Sequence, residues 1–209
     1  MGILYNGIHG GFVNKTGPLI GRIVRKKNVV FALPHKSNKP DTAAQLCQRA
    51  KFKLLHTCLM EFIELIRVGF RNVVDITPLN AAFRASYPAL VLGGAARLQV
   101  DYSKLVLSSG KLQPLNSLSA ELIVDQRAVL FSWLAAPQNR LNRVADFVCM
   151  SVYSAERSIA VTSIGQVRRG ELSCNLELPG NFLPGTLHCY VSVISADNKD
   201  VSNSVYLNL

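Results

Sequence analysis

The chain has 209 residues, 49% of them hydrophobic and 17% charged, and its net charge is +10 at pH 7. This length and apolar content are enough for a buried core, and they exclude an intrinsically disordered chain. They also exclude a membrane-spanning helix, because the longest run free of strongly polar residues in the middle of the chain, 89–96, is far shorter than the roughly 20 residues a bilayer requires.

The positive charge is concentrated in the N-terminal third of the chain. Residues 1–60 contain ten Lys and Arg and one acid, Asp41, whereas residues 72–209 contain eleven basic and ten acidic residues. A basic segment beside a near-neutral body is typical of contact with an anionic partner: nucleic acid, a membrane surface or an acidic protein face. A solvated surface that keeps the protein dispersed explains the same charge equally well.

The cysteines and the N-terminus indicate a compartment. Five cysteines, an odd number with no close pair, form no disulfide framework and favour a reducing environment. Residues 1–11 lack the basic and apolar regions of a secretory signal. We therefore expect the protein in the cytoplasm, or in a particle such as a virion assembled there.

Residues 1–40 predict a basic, glycine-rich β-arm. Two strand-like runs, 19–24 and 28–33, are separated by Arg25, Lys26 and Lys27. This pattern indicates a hairpin with a charged tip, although the turn lacks the usual Asn-Gly or Asp-Gly pair.

The spacing of apolar residues predicts a helix over about 42–68. Thr42 and Gln45 form a capping-box pattern at its start, and one wide apolar stripe continues along it. Cys47 and Cys58 are assigned to this buried stripe as small core hydrophobes.

A second, shorter helix is predicted from Thr77-Pro78, since Thr is a good N-cap and Pro suits the first helical position. We expect it to end near Ser86, before Pro88. Strands are predicted at 98–102 and 105–107.

From Leu118 onward the hydrophobic period changes to two, which is typical of strands. Seven short strands with turn-forming residues between most of them predict an antiparallel sandwich; they are expected at 120–124, 128–134, 146–153, 158–164, 171–178, 187–195 and 201–208.

Trp133 is predicted to be a buried anchor of this sandwich, with Phe131 and Leu122 on the same alternation. Tyr190 is placed on a facing strand of the same core, because Tyr190 and Ile194 form the bulkier pair on their strand. A ligand-stacking role for the two aromatic residues is the alternative.

The predicted fold class is therefore α+β. It consists of a basic β-arm at 1–40, a helical segment with linker strands at 41–117, and an antiparallel β-sandwich at 118–209.

The last part resembles fibronectin type III and immunoglobulin-like domains. The stretch 129–133 followed by Pro137 is similar to the second strand of the fibronectin type III fold, and 190–196 with 203–205 is similar to its last two strands. The resemblance covers about 90 residues and implies a sandwich with a core Trp.

A second resemblance covers the whole chain. Gly10-Gly11-Phe12, the stretch 37–45 (Ser-Asn-Lys-Pro-Asp-Thr-Ala-Ala-Gln), 48–52 and the ending 195–206 are similar to an uncharacterised family of Bacteroidota proteins. The resemblance implies an architecture and no activity. A similar Asn-x-Pro-x-Thr-x-x-Gln helix start occurs in proteins encoded by phages, which favours a virion component by analogy.

Residue patterns that support catalysis are missing from the sequence. A Walker A loop ending at Lys15-Thr16 would need glycines at positions 9 and 14, where His9 and Asn14 stand. The four histidines are scattered, no Cys-x-x-Cys is present and no Gly-x-Ser-x-Gly elbow occurs. We predict no catalytic residues, no metal site and no cofactor, and we expect the protein not to be an enzyme.

The predicted function is a structural or adhesive subunit of a larger assembly, such as a phage-like particle or tail, whose arm reaches onto neighbouring subunits of a homo-oligomer. The alternative is a protein that binds nucleic acid through the basic arm without reading its sequence. The candidate contacts to an anionic partner are Lys15, Arg22, Arg25, Lys26, Lys27, Lys36, Lys39, Arg49 and Lys53.

Overall fold

The computed structural model describes residues 2–4, 7, 10–34, 39–92, 98–125, 127–180, 182 and 185–209. The chain divides into two compact units, Met1–Thr42 and Ala43–Leu209. Helices and antiparallel sheets occur together, so the predicted α+β class is confirmed. The predicted boundary at residue 117 stays a prediction.

The first unit is an antiparallel sheet of four strands in sequential order, which we call the arm sheet. Its strands are β1 (Ile3–Leu4), β2 (Phe12–Thr16), β3 (Leu19–Val24) and β4 (Lys27–Ala32). The predicted hairpin with a charged tip is formed by β3 and β4. Its turn residues Arg25 and Lys26 both have left-handed backbones, with φ of 49° and 65°. Positive φ at both central positions is the geometry that matches the twist of a two-residue hairpin.

The second unit begins with three helices, α1 (Ala43–Glu61), α2 (Ile63–Gly69) and α3 (Pro78–Ser86). The prediction of one helix over 42–68 is wrong at Phe62, whose N–H donates to the carbonyl oxygen of Leu59, three residues back (3.1 Å). The Phe62 ring is fully buried, 5.2 Å from the ring centroids of both Tyr153 and Tyr190. The apolar period continues through this break, so the sequence contains no signal for it.

The first half of α1 has no buried residue between 43 and 53. Cys47 is therefore exposed, and its assignment to a buried stripe is wrong, whereas Cys58 is buried as predicted. The side chains that hold α1 in the core begin at Leu55 and include Leu59.

The predicted helix from Thr77-Pro78 to Ser86 is confirmed. The Thr77 hydroxyl accepts a hydrogen bond from the N–H of Asn80 (3.3 Å), which caps the first turn. A 3₁₀ turn at Tyr87–Ala89 follows, and then the hairpin of β5 (Leu90–Leu92) and β6 (Leu98–Val100).

Residues 105–107 do not form the predicted strand. The N–H of Val106 donates to the Ser86 hydroxyl (2.9 Å), and the N–H of Leu107 donates to the Ser204 hydroxyl (3.1 Å). Side-chain hydroxyls thus replace a strand partner, while Leu105 and Leu107 are buried like strand residues.

All seven strands predicted after residue 117 are present. Three form the outer sheet, in the order β11-β8-β7, and four form the central sheet, in the order β10-β9-β12-β13. In chain order they are β7 (Asn116–Ile123), β8 (Ala128–Leu134), β9 (Phe147–Ser154), β10 (Ile159–Arg168), β11 (Ser173–Glu177), β12 (Leu187–Ile194) and β13 (Val205–Asn208).

The central sheet is buried on both faces. Alternate residues of β12, such as Val191 and Val193, join the core shared with the outer sheet. The intervening residues, such as Tyr190 and Ile194, join a second core that is shared with the helices. The second unit is therefore layered as helices, central sheet and outer sheet, and its two sheets form a sandwich-like pair.

Trp133 is buried as predicted, with 3% of its surface exposed, in the core that also contains Phe131. The placement of Tyr190 opposite Trp133 is wrong, because Tyr190 faces the helices and meets Phe62 edge-on at 77°. The bulk of its side chains identifies the core-facing side of a strand only when one face of the strand is buried. Both faces of β12 are buried.

Residues 201–204 join the central sheet to the segment 107–112. The Ser202 hydroxyl accepts from the N–H of Val193 (2.8 Å), and the Ser202 carbonyl accepts from the Ser108 hydroxyl (2.6 Å). This short segment therefore connects the sheet to the chain that follows the helices.

Replacing Trp133 with Ala should destabilise the second unit by about 3–5 kcal/mol, because it removes a large buried side chain and leaves a cavity. Denaturant unfolding followed by circular dichroism measures this change. Leu134→Ala is the matched control, since Leu134 is 61% exposed on the other side of the same strand and should cost little. Native fluorescence of Trp133 at the emission wavelength of free tryptophan would contradict its burial.

Candidate anion-binding surfaces

The cations on the strands of the arm sheet lie on one of its two faces, which also contains Ile20 and Phe31. Strand pairing places Lys15 opposite Ile20 and Lys27 opposite Val24, so Lys15, Arg22 and Lys27 lie on one side. We call these three residues the basic face of the arm. Arg25 and Lys26, both exposed, extend the positive charge to the hairpin tip.

The opposite side contains Leu19, Ile23 and Val30, which are 42%, 55% and 46% exposed. We call these three residues the apolar face of the arm. In the described part of the arm sheet, Gly21 is the only residue that is fully buried, because the backbone and ring of Phe12 lie against it. The arm sheet thus has almost no core of its own.

Four predicted contacts remain. Lys36 lies outside the described residues, and Lys39 is exposed in the first unit. Arg49 and Lys53 are exposed on α1 in the second unit, four residues apart and hence on one side of the helix.

The structure also contains a basic surface in the second unit that the sequence reasoning missed. The loop between β8 and β9, together with the end of β10, lines an open cavity of about 820 Å³. We call its three exposed arginines, Arg140, Arg143 and Arg168, the arginine wall. Gln138, Asn139 and Glu171 also line the cavity.

Internal hydrogen bonds hold the loop between β8 and β9 in shape. The backbones of Asn139 and Asn142 exchange two N–H···O bonds of 3.0 and 3.1 Å across the Arg140-Leu141 tip. The side chain of Asn142, 3% exposed, donates to the carbonyl of Pro137 (2.8 Å). The buried Asp146 carboxylate accepts from the N–H of Arg143 (3.0 Å).

Arg169 anchors the chain between Arg168 and Gly170, which both line the cavity. Its buried guanidinium donates to the carbonyls of Gln113 (3.0 Å) and Pro114 (2.6 Å). Burial lowers the pKa of Arg169, and the nearby Asp146 carboxylate opposes that change. The carbonyl of Arg169 accepts the indole N–H of Trp133 (2.7 Å), so the sandwich core supports the wall directly.

The sequence does contain a signal for this surface. Arginines occur at 140 and 143 in the β8–β9 loop and at 168 and 169 at the end of β10, but residues 72–209 have nearly equal numbers of bases and acids. Averaging the charge over 138 residues concealed the local cluster.

The buried thiols Cys58 and Cys189 are not activated as nucleophiles. Burial raises the pKa of Cys58 to about 12, with Glu61 adding to the shift, and burial also raises that of Cys189 to about 12. A thiol with such a pKa is a poor nucleophile near neutral pH. Among the described residues, no group of three or more His, Cys, Asp and Glu side chains could hold a metal ion.

Comparison with known protein families matches residues 11–208 to the family of unknown function DUF6266. The chain belongs to this family. The DUF6266 match begins in the arm and ends in β13, so it includes most of both compact units. Comparison with characterised proteins found no match. In the part of this DUF6266 chain that the structure describes, no helix is long and apolar enough to cross a bilayer.

His188 lies on the helix side of the central sheet, opposite in direction to Cys189, as strand alternation predicts. Its ring stacks on Tyr102 with 4.2 Å between centroids, and its Nδ1 lies 2.8 Å from the Tyr206 hydroxyl. Burial lowers the pKa of His188 below its ordinary value of 6.5.

This member of DUF6266 should lose stability as the pH falls through about 6.5, because the unfolded state then binds a proton at residue 188 that the folded state resists. Above that pH the imidazole is neutral in both states and adds no pH dependence. Denaturant unfolding at pH 7.5 and 5.5 should show a larger loss for the natural protein than for His188→Gln, in which the carboxylates titrate unchanged. Equal losses would contradict the burial of a neutral imidazole.

Proposed function

We propose that this protein is a non-enzymatic structural or adhesive subunit of a larger assembly, and that its arm reaches onto a neighbouring copy. The observation that supports this most is the apolar face of the arm, Leu19, Ile23 and Val30, on a sheet with almost no core. A sheet needs a buried apolar face or a packed helix for stability of its own.

Covering this face would contribute roughly 2–4 kcal/mol, because its three side chains are already about half buried. Fully burying one Leu, Ile or Val side chain contributes about 1.5–3 kcal/mol. Strand β4 is also an edge of the arm sheet, and its outer backbone groups offer hydrogen bonds to a further strand. An exposed apolar face and the edge strand β4 together suit an arm that docks on another subunit.

The resemblance to Bacteroidota proteins, and the Asn38-x-Pro40-x-Thr42-x-x-Gln45 pattern shared with phage-encoded proteins, support a particle or tail component as the kind of assembly. Such a particle would be put together in the cytoplasm. Both points rest on analogy of sequence, and Asn38 itself lies outside the described residues.

Deleting residues 1–33 should abolish assembly and leave the sandwich of residues 118–209 folded. Size-exclusion chromatography with light scattering, after nuclease treatment and in high salt, should give a mass well above 22.9 kDa for the full chain and the monomer mass for the deletion. Buried-type emission of Trp133 in both proteins shows that the sandwich has folded. A deletion that oligomerises like the full chain would refute the role of the arm.

A finer variant tests the apolar face itself. Ile23→Ser with Val30→Ser should weaken assembly, because each change removes an apolar side chain from the docked surface. Val124→Ser is the matched control, since Val124 is 64% exposed in the second unit. An assembly lost equally in the control would point to general solubility effects instead.

The basic face of the arm favours a second candidate, sequence-independent binding of nucleic acid. Lys15, Arg22 and Lys27 share one side of the sheet, one on each of β2, β3 and β4, and the hairpin tip adds Arg25 and Lys26. Such a row of cations can follow a phosphate backbone without contacting base edges.

If the arm binds nucleic acid, affinity for DNA should be independent of sequence and should fall with salt, with a log–log slope near −0.9 for each phosphate neutralised. Fluorescence anisotropy of two unrelated duplexes over a salt series measures this. Replacing Arg22 and Lys27 by Ala removes two phosphate contacts, and the slope should become shallower by about 0.9 for each of them. Binding that ignores salt, or no binding at low salt, would exclude nucleic acid as the partner of the arm.

A further inference from the structure

We propose that the cavity lined by the arginine wall binds a phosphate group. This site lies in the second unit, on different elements from the arm, and its ligand is independent of the assembly proposed above. The wall consists of Arg140, Arg143 and Arg168, at the end of the sandwich where the β8–β9 loop meets the end of β10.

The three guanidinium groups belong to exposed side chains. Among the described residues, none of them is within 4 Å of a carboxylate, and none donates a hydrogen bond to a protein acceptor. The Arg168 guanidinium instead lies over the ring of Phe147, 5.7 Å from its centroid. A guanidinium has five donors in a planar fork, and those of the wall are directed to solvent or to a ligand.

Two carboxylates beside the wall, Glu171 and Asp146, accept hydrogen bonds from backbone amides, and an adjacent pocket shared with Arg140 and Arg143 contains Asp197, Asp200 and Lys199. Glu171 lines the cavity, and its Oε1 accepts from the N–H of Arg168 (2.8 Å). Asp146 is fully buried and accepts from the N–H groups of Arg143 and Ala196. The cavity lining therefore contains three positive charges and one negative charge, so its field favours an anion.

The backbone that carries the three arginines of the wall is fixed before any ligand binds. Besides the bonds within the loop, the N–H of Gly170 donates to the carbonyl of Val144 (3.1 Å), and the N–H of Arg169 donates to that of Asp146 (2.7 Å). A Cβ at position 170 would overlap the Val144 side chain, so glycine permits this close approach of the two segments. A fixed backbone lowers the entropy lost when the arginines close on a ligand.

Arginine forks match the geometry of phosphate oxygens, and the amide side chains of Gln138 and Asn139 can add neutral donors. The cavity of about 820 Å³ is open to solvent, so it can admit a phosphate that is carried on a larger molecule or chain. A small phosphorylated metabolite and the backbone of a polynucleotide share this chemistry, and the test distinguishes them.

The test uses the full chain at low salt with inorganic pyrophosphate as the first probe, measured by isothermal titration calorimetry. R140A/R143A/R168A should bind at least tenfold more weakly than the natural protein. The matched control is R67A/R84A/R157A, which removes the same charge from exposed positions elsewhere in the second unit and should bind within twofold of the natural protein. Absence of pyrophosphate binding, or equal losses in the two triple variants, would overturn the proposal.

R140K/R143K/R168K separates the forked geometry from charge alone, and it should bind more weakly than the natural protein although its charge is unchanged. Thermal unfolding and Trp133 emission of all variants should stay close to those of the natural protein, because the wall side chains are exposed and, among the described residues, form no ion pair or hydrogen bond. Wild-type affinity in the Lys variant would contradict a site built on guanidinium geometry.

A labelled single-stranded oligonucleotide, added to the R22A/R25A/K26A/K27A protein, identifies the source of the phosphate. Binding that pyrophosphate displaces would assign the site to a polynucleotide backbone. Pyrophosphate binding without oligonucleotide binding would assign it to a small phosphorylated molecule. Oligonucleotide binding that persists undiminished in R140A/R143A/R168A would overturn the proposal for polynucleotides.

Discussion

Strand β12 has no exposed residue over its eight positions, and its neighbour β9 is buried along nearly its whole length. Residues that point one way hold the outer sheet, and those that point the other way hold the helices through Phe62, Tyr153 and Tyr190. Within the described part of the second unit, each of the two hydrophobic cores includes residues of the central sheet. The burial of both faces of the central sheet is therefore the constraint on which the layers of the second unit depend.

The burial of both faces also limits what the sequence can predict about the central sheet. The period of two predicted each strand after residue 117 because alternation is a local property. It could not reveal which face of β12 meets Trp133, because His188-Cys189-Tyr190-Val191 has apolar side chains of both parities. The interruption at Phe62 was also not predicted, and the Phe62 ring there contacts two tyrosines about 90 and 130 residues further along the chain.

The candidate surfaces were predictable to different degrees. The cations of the hairpin are close in sequence, so Arg22, Arg25, Lys26 and Lys27 were found from the sequence alone. The arginine wall joins positions 140 and 168, and only the pairing of β9 with β10 brings those loops to one end of the sandwich. Charge that is dispersed in sequence but clustered in space requires the topology before it can be recognised.

Hydrogen bonds from residues 201–204 connect the central sheet to the segment after the helices. A ribosome produces this connection only after α1, α2, α3 and most of the sheet have already been made. Until then the helices face an incomplete sheet, and their apolar surface stays open to water or to a chaperone. Completion of the helical layer is therefore a late event in biosynthesis, although its residues are translated early.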